Sequence, residues 1–224
     1  VSAPTSARED ILARIRAALP SVPAEHAADN IAASYAAIPH LYNLAAHLDT
    51  HARLELLLDR LLDYDTEILQ ITTDSEIASA IAQALAHSNE SVALIDPGFP
   101  SDWLPSGPTF VADHALTIPE LEAVRTVVTT CEVAVASTGT IILVHGPAQG
   151  RRAITLLPDH HICLVRRDQV VEVIPEAIRA IDAQSRRPIT TISGPSATSD
   201  IEMTRIRGVH GPRRLTVILY GEAA

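Results

Sequence analysis

Lysine is absent from this chain: all 17 basic residues among its 224 are arginine. The absence excludes Schiff-base catalysis, a pyridoxal-phosphate lysine and the Gly-Lys-Thr of a phosphate loop. Cysteine is scarce, with Cys131 and Cys163 in separate strand-like apolar runs and no CxxC spacing. The chain alone therefore offers neither a zinc site nor an iron–sulfur site, and both thiols are expected to be buried. Positive charge is short as well, since 27 acidic residues outnumber the arginines and set a formal net charge of −10. Nucleic acid and anionic membranes both need clustered positive charge, so neither is an expected partner. No apolar run approaches the roughly 18 residues that cross a bilayer, and the opening VSAPTSARED is polar, unlike a signal peptide. A cytoplasmic protein with no membrane insertion is expected.

What is abundant is aliphatic. Hydrophobic residues make up 47% of the chain and aromatic ones only 3%, which predicts a folded core of Leu, Ile, Val and Ala rather than disorder. The length suits one large domain, or one domain with an arm. Residues 6–19 open on a hydroxyl cap candidate and set Ile11, Ile15 and Leu19 one turn apart, a helix that Pro20 ends. Residues 1–43 read as this helix plus a proline-containing arm, and residues 44–224 as a single α/β domain.

Leucines at 54, 57, 58, 61 and 62 have the spacing of a one-sided helix. Beyond them TEILQIT reads as a strand, DSEIASAIAQALAH as a helix and SVALID as a strand. This βαβ grammar favours parallel strands with helical crossovers. After a helix at TIPELEAV come short strands, TVVTT, EVAVA, GTIILV, AITLL and HICLVRR, then a helix at PEAIRAIDAQ and strands at PITTIS and LTVILY. The expected fold class is α/β: a three-layer sheet with helices on both faces and antiparallel additions in the second half.

Three polar, glycine-containing stretches each abut a predicted strand. The first is Ser137, Thr138, Gly139 and Thr140; the second runs from Gly146 through Gln149, Gly150, Arg151 and Arg152; the third holds Ser193, Gly194, Ser196, Thr198 and Asp200. At a strand end, glycine permits close backbone approach, and N–H groups with hydroxyls make an anion-binding concavity. Arg151 or Arg152 would supply bidentate donors to a carboxylate or phosphate. Taken singly, each stretch reads as a turn whose side chains satisfy themselves. Taken together they read as one ligand site, because open α/β sheets bind ligands beyond the carboxyl ends of their strands.

Asp200 or Ser199 is placed to cap a short helix over SDIEM, and Asp200 and Glu202 are too close to face each other in a helix. Capping is therefore preferred to an acid–base dyad. V-H-G-P recurs at 144–147 and 209–212, each copy followed by an arginine pair and a strand. This is the same turn chemistry used twice, with the imidazole bonding nearby backbone, and His210 of the second copy joins the candidate ligand residues. Asp159-His160-His161 invites a metal, but neighbours in a strand point to opposite faces, so the two histidines are not expected to share one. No G-x-S-x-G elbow surrounds Ser137 or Ser196.

TGTIIL, GPAQGRRAITLLPDHHICLV, ISGPSATSDIE and GVHGP, in this order, resemble the LUD domain family. The resemblance is strong over about residues 126–220, compatible from 53 to 87, and residues 1–43 contribute little. It implies a fold similar to the NagB/RpiA/CoA-transferase group and a place in iron–sulfur-dependent oxidation of L-lactate to pyruvate. It also implies that the iron–sulfur clusters sit in two companion proteins, of A and B type, while this chain binds no cofactor alone. The family pattern commonly reads Glu-Thr-Gly-Thr where this chain has Ser137-Thr138-Gly139-Thr140. A carboxylate there would resemble the acid of CoA-transferase-like folds, a role Ser137 cannot fill.

The leading expectation is a non-cluster subunit of a lactate-oxidising complex whose pocket takes a small organic anion. An independent enzyme of the CoA-transferase or sugar-phosphate-isomerase type is an alternative, and would turn over without partners. A metabolite-sensing module is another; its ligand would stabilise it without affecting a reconstituted reaction.

Overall fold

The computed structural model describes residues 7–19, 31–39, 41–181, 186–198, 206–207 and 211–222. The chain divides into two units, Val1–Tyr42 and Asn43–Ala224. In the first, helix α1 (Ala7–Ala18) carries Glu9 and Asp10 in its first turn and Arg16 in its last, charges that suit the helix dipole. None of its residues is buried, and Ile11, Ile15 and Leu19 are exposed.

The second unit opens with α2 (Thr50–Asp63), capped by Asp49, whose Oδ1 accepts from the Ala52 N–H at 2.8 Å. One stripe of α2, Leu54, Leu57 and Leu61, is buried, while Leu62 is left exposed. Then follow β1 (Glu67–Gln70), α3 (Ile77–His87), β2 (Val92–Ile95), β3 (Thr109–Ala112), α4 (Ile118–Glu122), β4 (Thr126–Thr130), β5 (Val133–Val135) and β6 (Thr140–Leu143). The rest comprises α5 (Arg152–Leu156), β7 (His160–Arg166), β8 (Val170–Val171), α6 (Ile174–Ile181), β9 (Thr190–Ile192), β10 (Ala197–Thr198), β11 (Ile206–Arg207) and β12 (Arg214–Tyr220).

A six-stranded sheet in the order β1-β12-β7-β4-β2-β3 has every pair parallel. A second sheet, β8-β5-β6-β9, has β6 antiparallel to both neighbours, and β10 with β11 forms a separate antiparallel pair. One face of the large sheet packs on α3 through Ile77, Ile81, Val128, Ile162 and Ile218. Its other face shares a core with α2 and with the small sheet, joining Leu57, Leu61, Cys163 and Val217 to Ala134, Ile141 and Leu143. The alternate residues Val133, Val135 and Ile142 pack instead against Ala177 and Ile181 of α6, as the two-residue period of a strand requires.

Two readings change. AITLL, expected as a strand, is part of helix α5, where Ile154 fills a core with Leu94, Leu121 and Val127. A five-residue apolar run carries too little period to separate helix from strand, and the surrounding pack decides. Strand β3, four residues long at the edge of the sheet, was not anticipated at all.

A polar chain enters the core at the amino ends of the large sheet. His160, 2% exposed, has Nε2 at 2.8 Å from Thr216 Oγ1, and Thr216 donates onward to Glu67 Oε2 at 2.9 Å. Glu67 also pairs with His87 at the surface. Thr216 spends its one proton on Glu67, so it accepts from His160 Nε2–H. Burial, and then the charge of Arg214, push His160 down to about 4.

The unfolded chain would protonate this ring near its ordinary value of about 6.5, so the neutral ring's contribution is whole above that value and is lost as pH falls towards 4. Denaturant titrations at pH 7.0, 5.5 and 4.5 should lose on the order of 2–3 kcal/mol across this window. His160→Gln, which keeps a group near the Nε2 position, should flatten the loss; an unchanged pH slope in that variant would contradict the assignment.

Candidate functional site

The three polar stretches have different fates. In the first, Gly139 sits at φ 59°, and a Cβ there would come within 2.9 Å of Arg60 Cβ and 3.1 Å of its carbonyl carbon. Glycine is needed so that the turn can lie on the end of α2, a packing reason rather than a ligand reason. Ser137 donates its N–H to the Glu172 carbonyl at 3.0 Å. The hydroxyls of Thr138 and Thr140 are 2.7 Å apart, and Thr140 reaches Ser193 of the third stretch at 2.8 Å.

The second stretch is mostly committed to its own turn. Gln149 is buried, accepts from the Val144 N–H at 2.6 Å and donates to Glu132 at 3.1 Å. Ala148 N–H donates to Asp96 Oδ1 at 2.9 Å. His145 spans from the Gly150 carbonyl, 2.9 Å from Nδ1, to Thr190 Oγ1, 2.6 Å from Nε2, so the first V-H-G-P imidazole does bond local backbone. Arg151 turns away: it grips Asp113 with two hydrogen bonds of 2.5 and 2.9 Å and reaches the Leu116 carbonyl at 2.6 Å. This guanidinium holds the Asp113 carboxyl below its ordinary range, assisted by the Leu116 N–H.

In the third stretch Gly194 has φ 78°, and a Cβ would strike Tyr64 at 2.4 Å, so glycine again serves close packing on the end of α2. Ser196 N–H donates to the Pro212 carbonyl at 2.8 Å. Thr198 ends β10, while Ser199, Asp200, Glu202 and His210 lie outside the described residues.

What the structure does bring together is a cavity of about 330 Å³. Its floor is His161 and Leu215, side by side in register on β7 and β12. One wall is α5, through Arg152, Thr155 and Leu156; the other is Thr190 to Ala197, with Gly211 and Pro212. Of the residues singled out from sequence, Arg152, Ser193, Gly194 and Ser196 border it, and Thr140 supports it through Ser193. Ser137, Thr138, Gly139, Gln149, Gly150 and Arg151 are not among the described lining residues.

The cavity opens at the amino ends of β7 and β12, not beyond the carboxyl ends. At the carboxyl side Trp103 packs edge-on against Phe99 and Tyr220, with ring centroids 6.0 and 5.6 Å apart. The connection from β7 to β12 must return to the start of a parallel strand, and it delivers the third stretch there.

The Arg152 side chain is exposed, and its guanidinium makes no hydrogen bond or ion pair with any described residue. No carboxylate stands among the described lining residues, and Arg152 is the one guanidinium among them. His161 was missed as a site residue because adjacency to His160 raised only the question of a shared metal. Its ring bonds Thr129 Oγ1 at 2.8 Å, while His160 bonds Thr216, and the two face opposite sides of the sheet. Behind it lie the two buried thiols. A hydrogen bond from Cys131 pulls Cys163 down, with His161 and Thr129 assisting, and the same shared proton pushes Cys131 up. Among the described residues no group of three or more His, Cys, Asp or Glu side chains is placed to hold a metal, and no helix is long and apolar enough to cross a membrane.

Fold and cavity together define an α/β protein with a parallel six-stranded sheet, a stacked smaller sheet and a cavity bordered by Arg152 and His161. Residues 58–220 match the LUD domain, and the chain belongs to that family. It is 44% identical to Lactate utilization protein C of Deinococcus radiodurans over 80% of this chain and 85% of that one. Identity to Lactate utilization protein C of Macrococcus caseolyticus is 29%, over 75% of this chain and 78% of the relative. A crystal structure of a DUF162 family protein from Deinococcus radiodurans superposes with a TM-score of 0.69 at 40% identity, covering 78% of this chain and all of the other.

The two neighbouring arginines should separate by stability. Asp113 has a side chain only 3% exposed, so Arg151→Ala strands a carboxylate and should cost about 2 kcal/mol in urea unfolding at pH 7. Arg152→Ala should stay within about 0.5 kcal/mol of the parent. Equal losses in the two would refute the division of roles.

Proposed function

We propose that this chain is a non-cluster subunit of a lactate utilization system, acting in the cytoplasm with iron–sulfur companions of A and B type, and that its cavity takes a small organic anion. The name carried by its relatives supports the system. The observation that carries the cavity's role is Arg152: a guanidinium with no partner among the described residues, on a lining with no described carboxylate. Such a group supplies two parallel donors to a carboxylate, and closure around it would exclude the water that otherwise competes.

An independent enzyme of the CoA-transferase type has less support. Position 137 holds Ser in place of the acid, its amide is tied to Glu172, and the described lining does not include it. The subunit reading therefore places turnover in the assembled system and ligand binding in this chain.

Affinity purification of the tagged chain from lactate-grown cells should recover iron-containing partner proteins in stable proportion. Recovery of the chain alone and iron-free would sink the subunit reading. Separately, millimolar L-lactate or pyruvate should raise the Tm of the purified chain by linkage, and Arg152→Ala should abolish the rise; a rise that survives in this variant would place the anion elsewhere.

A further inference from the structure

Thr190, at the start of β9, takes part in a bond whose direction is fixed. His145 Nδ1 lies 2.9 Å from the Gly150 carbonyl, and Nε2 lies 2.6 Å from Thr190 Oγ1. A carbonyl oxygen only accepts, so in the neutral ring the proton sits on Nδ1 and Nε2 is a bare acceptor, to which the Thr190 hydroxyl donates. The bond spends the hydroxyl's proton and leaves its oxygen lone pairs with no donor among the described residues. His145 has φ 45°, a left-handed conformation that side chains rarely adopt, and it follows β6, whose Leu143 stands opposite Thr190. Thr190 borders the cavity and is only half-buried. Ile192, two residues on and so on the same face of β9, packs against the core shared with the large sheet. Thr190 therefore faces the side on which the cavity floor lies, opposite to the exposed Thr191.

We propose that Thr190 and His145 form a nucleophile–base pair that hydrolyses a small carboxylic ester, with Arg152 holding an acid group on the acyl part. A hydroxyl bonded to an imidazole that a third group orients is the arrangement that activates an alcohol for attack. Thr190 Oγ1 bonds to the ester carbon as its proton passes to His145 Nε2. The C–O bond to the leaving alcohol then breaks, and the alcohol takes that proton. Water attacks the acyl-threonine in the same way, its proton passing to Nε2 and on to Oγ1 as the acid leaves. Ester and water thus give acid and alcohol, with both residues restored. Thr138, Thr140 and Ser193 hold three hydroxyl protons for two bonds, of 2.7 and 2.8 Å. Turned towards Ser193, which borders the cavity, this chain has one proton for the oxyanion that forms on attack. The activity goes beyond the subunit role, which leaves lactate turnover to the assembled system. The substrate's acid group rests on the anion reading of Arg152; the nucleophile does not.

The probes are para-nitrophenyl acetate and the para-nitrophenyl monoester of succinic acid, given to the full chain. Nitrophenol release is followed by absorbance, and the acylated residue is located by mass spectrometry of the peptides. Competing acylation is low because the chain has no lysine and both thiols are buried. The parent should turn over both esters and carry the acyl group on Thr190. Thr190→Val and His145→Gln should each lose about a hundredfold in rate, while Thr190→Ser keeps the activity. Arg152→Ala should remove a preference for the succinyl ester and leave the acetyl ester unchanged. Acyl groups elsewhere than on Thr190, or rates unchanged in Thr190→Val or His145→Gln, would overturn the pair. No preference for the succinyl ester in the parent, or one that survives Arg152→Ala, would overturn the acid-holding role of Arg152 while leaving the pair standing. Should Thr190→Val or His145→Gln fail to fold, peptide mapping of the parent decides: an unacylated Thr190 sinks the proposal.

Discussion

Every strand pair in the large sheet is parallel, and a parallel strand must be entered from the same edge as its neighbour. Each connection therefore crosses the sheet and comes back to the amino edge. The passage from β4 to β7 carries β5, β6 and α5; the passage from β7 to β12 carries β8, α6, β9 and the β10–β11 pair. Because both passages lie on the same side of the sheet, their strands meet and pair as a second sheet. The cavity is what remains between α5, arriving at β7, and the loop arriving at β12. Its position at the amino ends follows from the direction of the chain and needs no special feature of the ligand.

The same constraint explains why so many polar residues around the cavity are structural. The two returning passages pair through β6 and β9, and the ends of that pairing must be fixed to each other and to α2. Thr140 with Ser193, and His145 with Thr190, tie them together; Gly139 and Gly194 let them close on Arg60 and Tyr64. A hydroxyl or glycine in such a loop has been used before any ligand arrives. Among the described lining residues the charged group left over is the Arg152 guanidinium, and it is the informative one.

Periodicity made α2, α3 and the strands of the parallel sheet legible, because each buries one face or both against a neighbour: Leu54, Leu57 and Leu61 keep helical spacing, and Ile162 to Val165 are apolar throughout. It could not make α5 legible, since Ala153 to Leu157 is apolar in either conformation and only the pocket left by Leu94, Leu121 and Val127 selects the helix. Of the candidate site, the third stretch and one arginine were visible as polar residues beside strands. His161 was not, since nothing in a sequence tells a spent ring nitrogen from an unspent one. That distinction needs the partner atoms, here Thr129 on one side of the ring and none described on the other.

The adjacent arginines show the same limit at its sharpest. Arg151 and Arg152 are identical in type and differ by one position, yet a helix starts between them: Arg151 is the extended residue before α5 and Arg152 its first turn. The change of backbone direction sends one side chain to Asp113, at the carboxyl end of β3, and the other to the cavity. A buried carboxylate without a partner would be costly, so Asp113 claims the arginine it can reach in bidentate geometry. Pairing of the first arginine with Asp113 leaves Arg152 as the one guanidinium among the described lining residues, the donor that an acid group entering the cavity would meet.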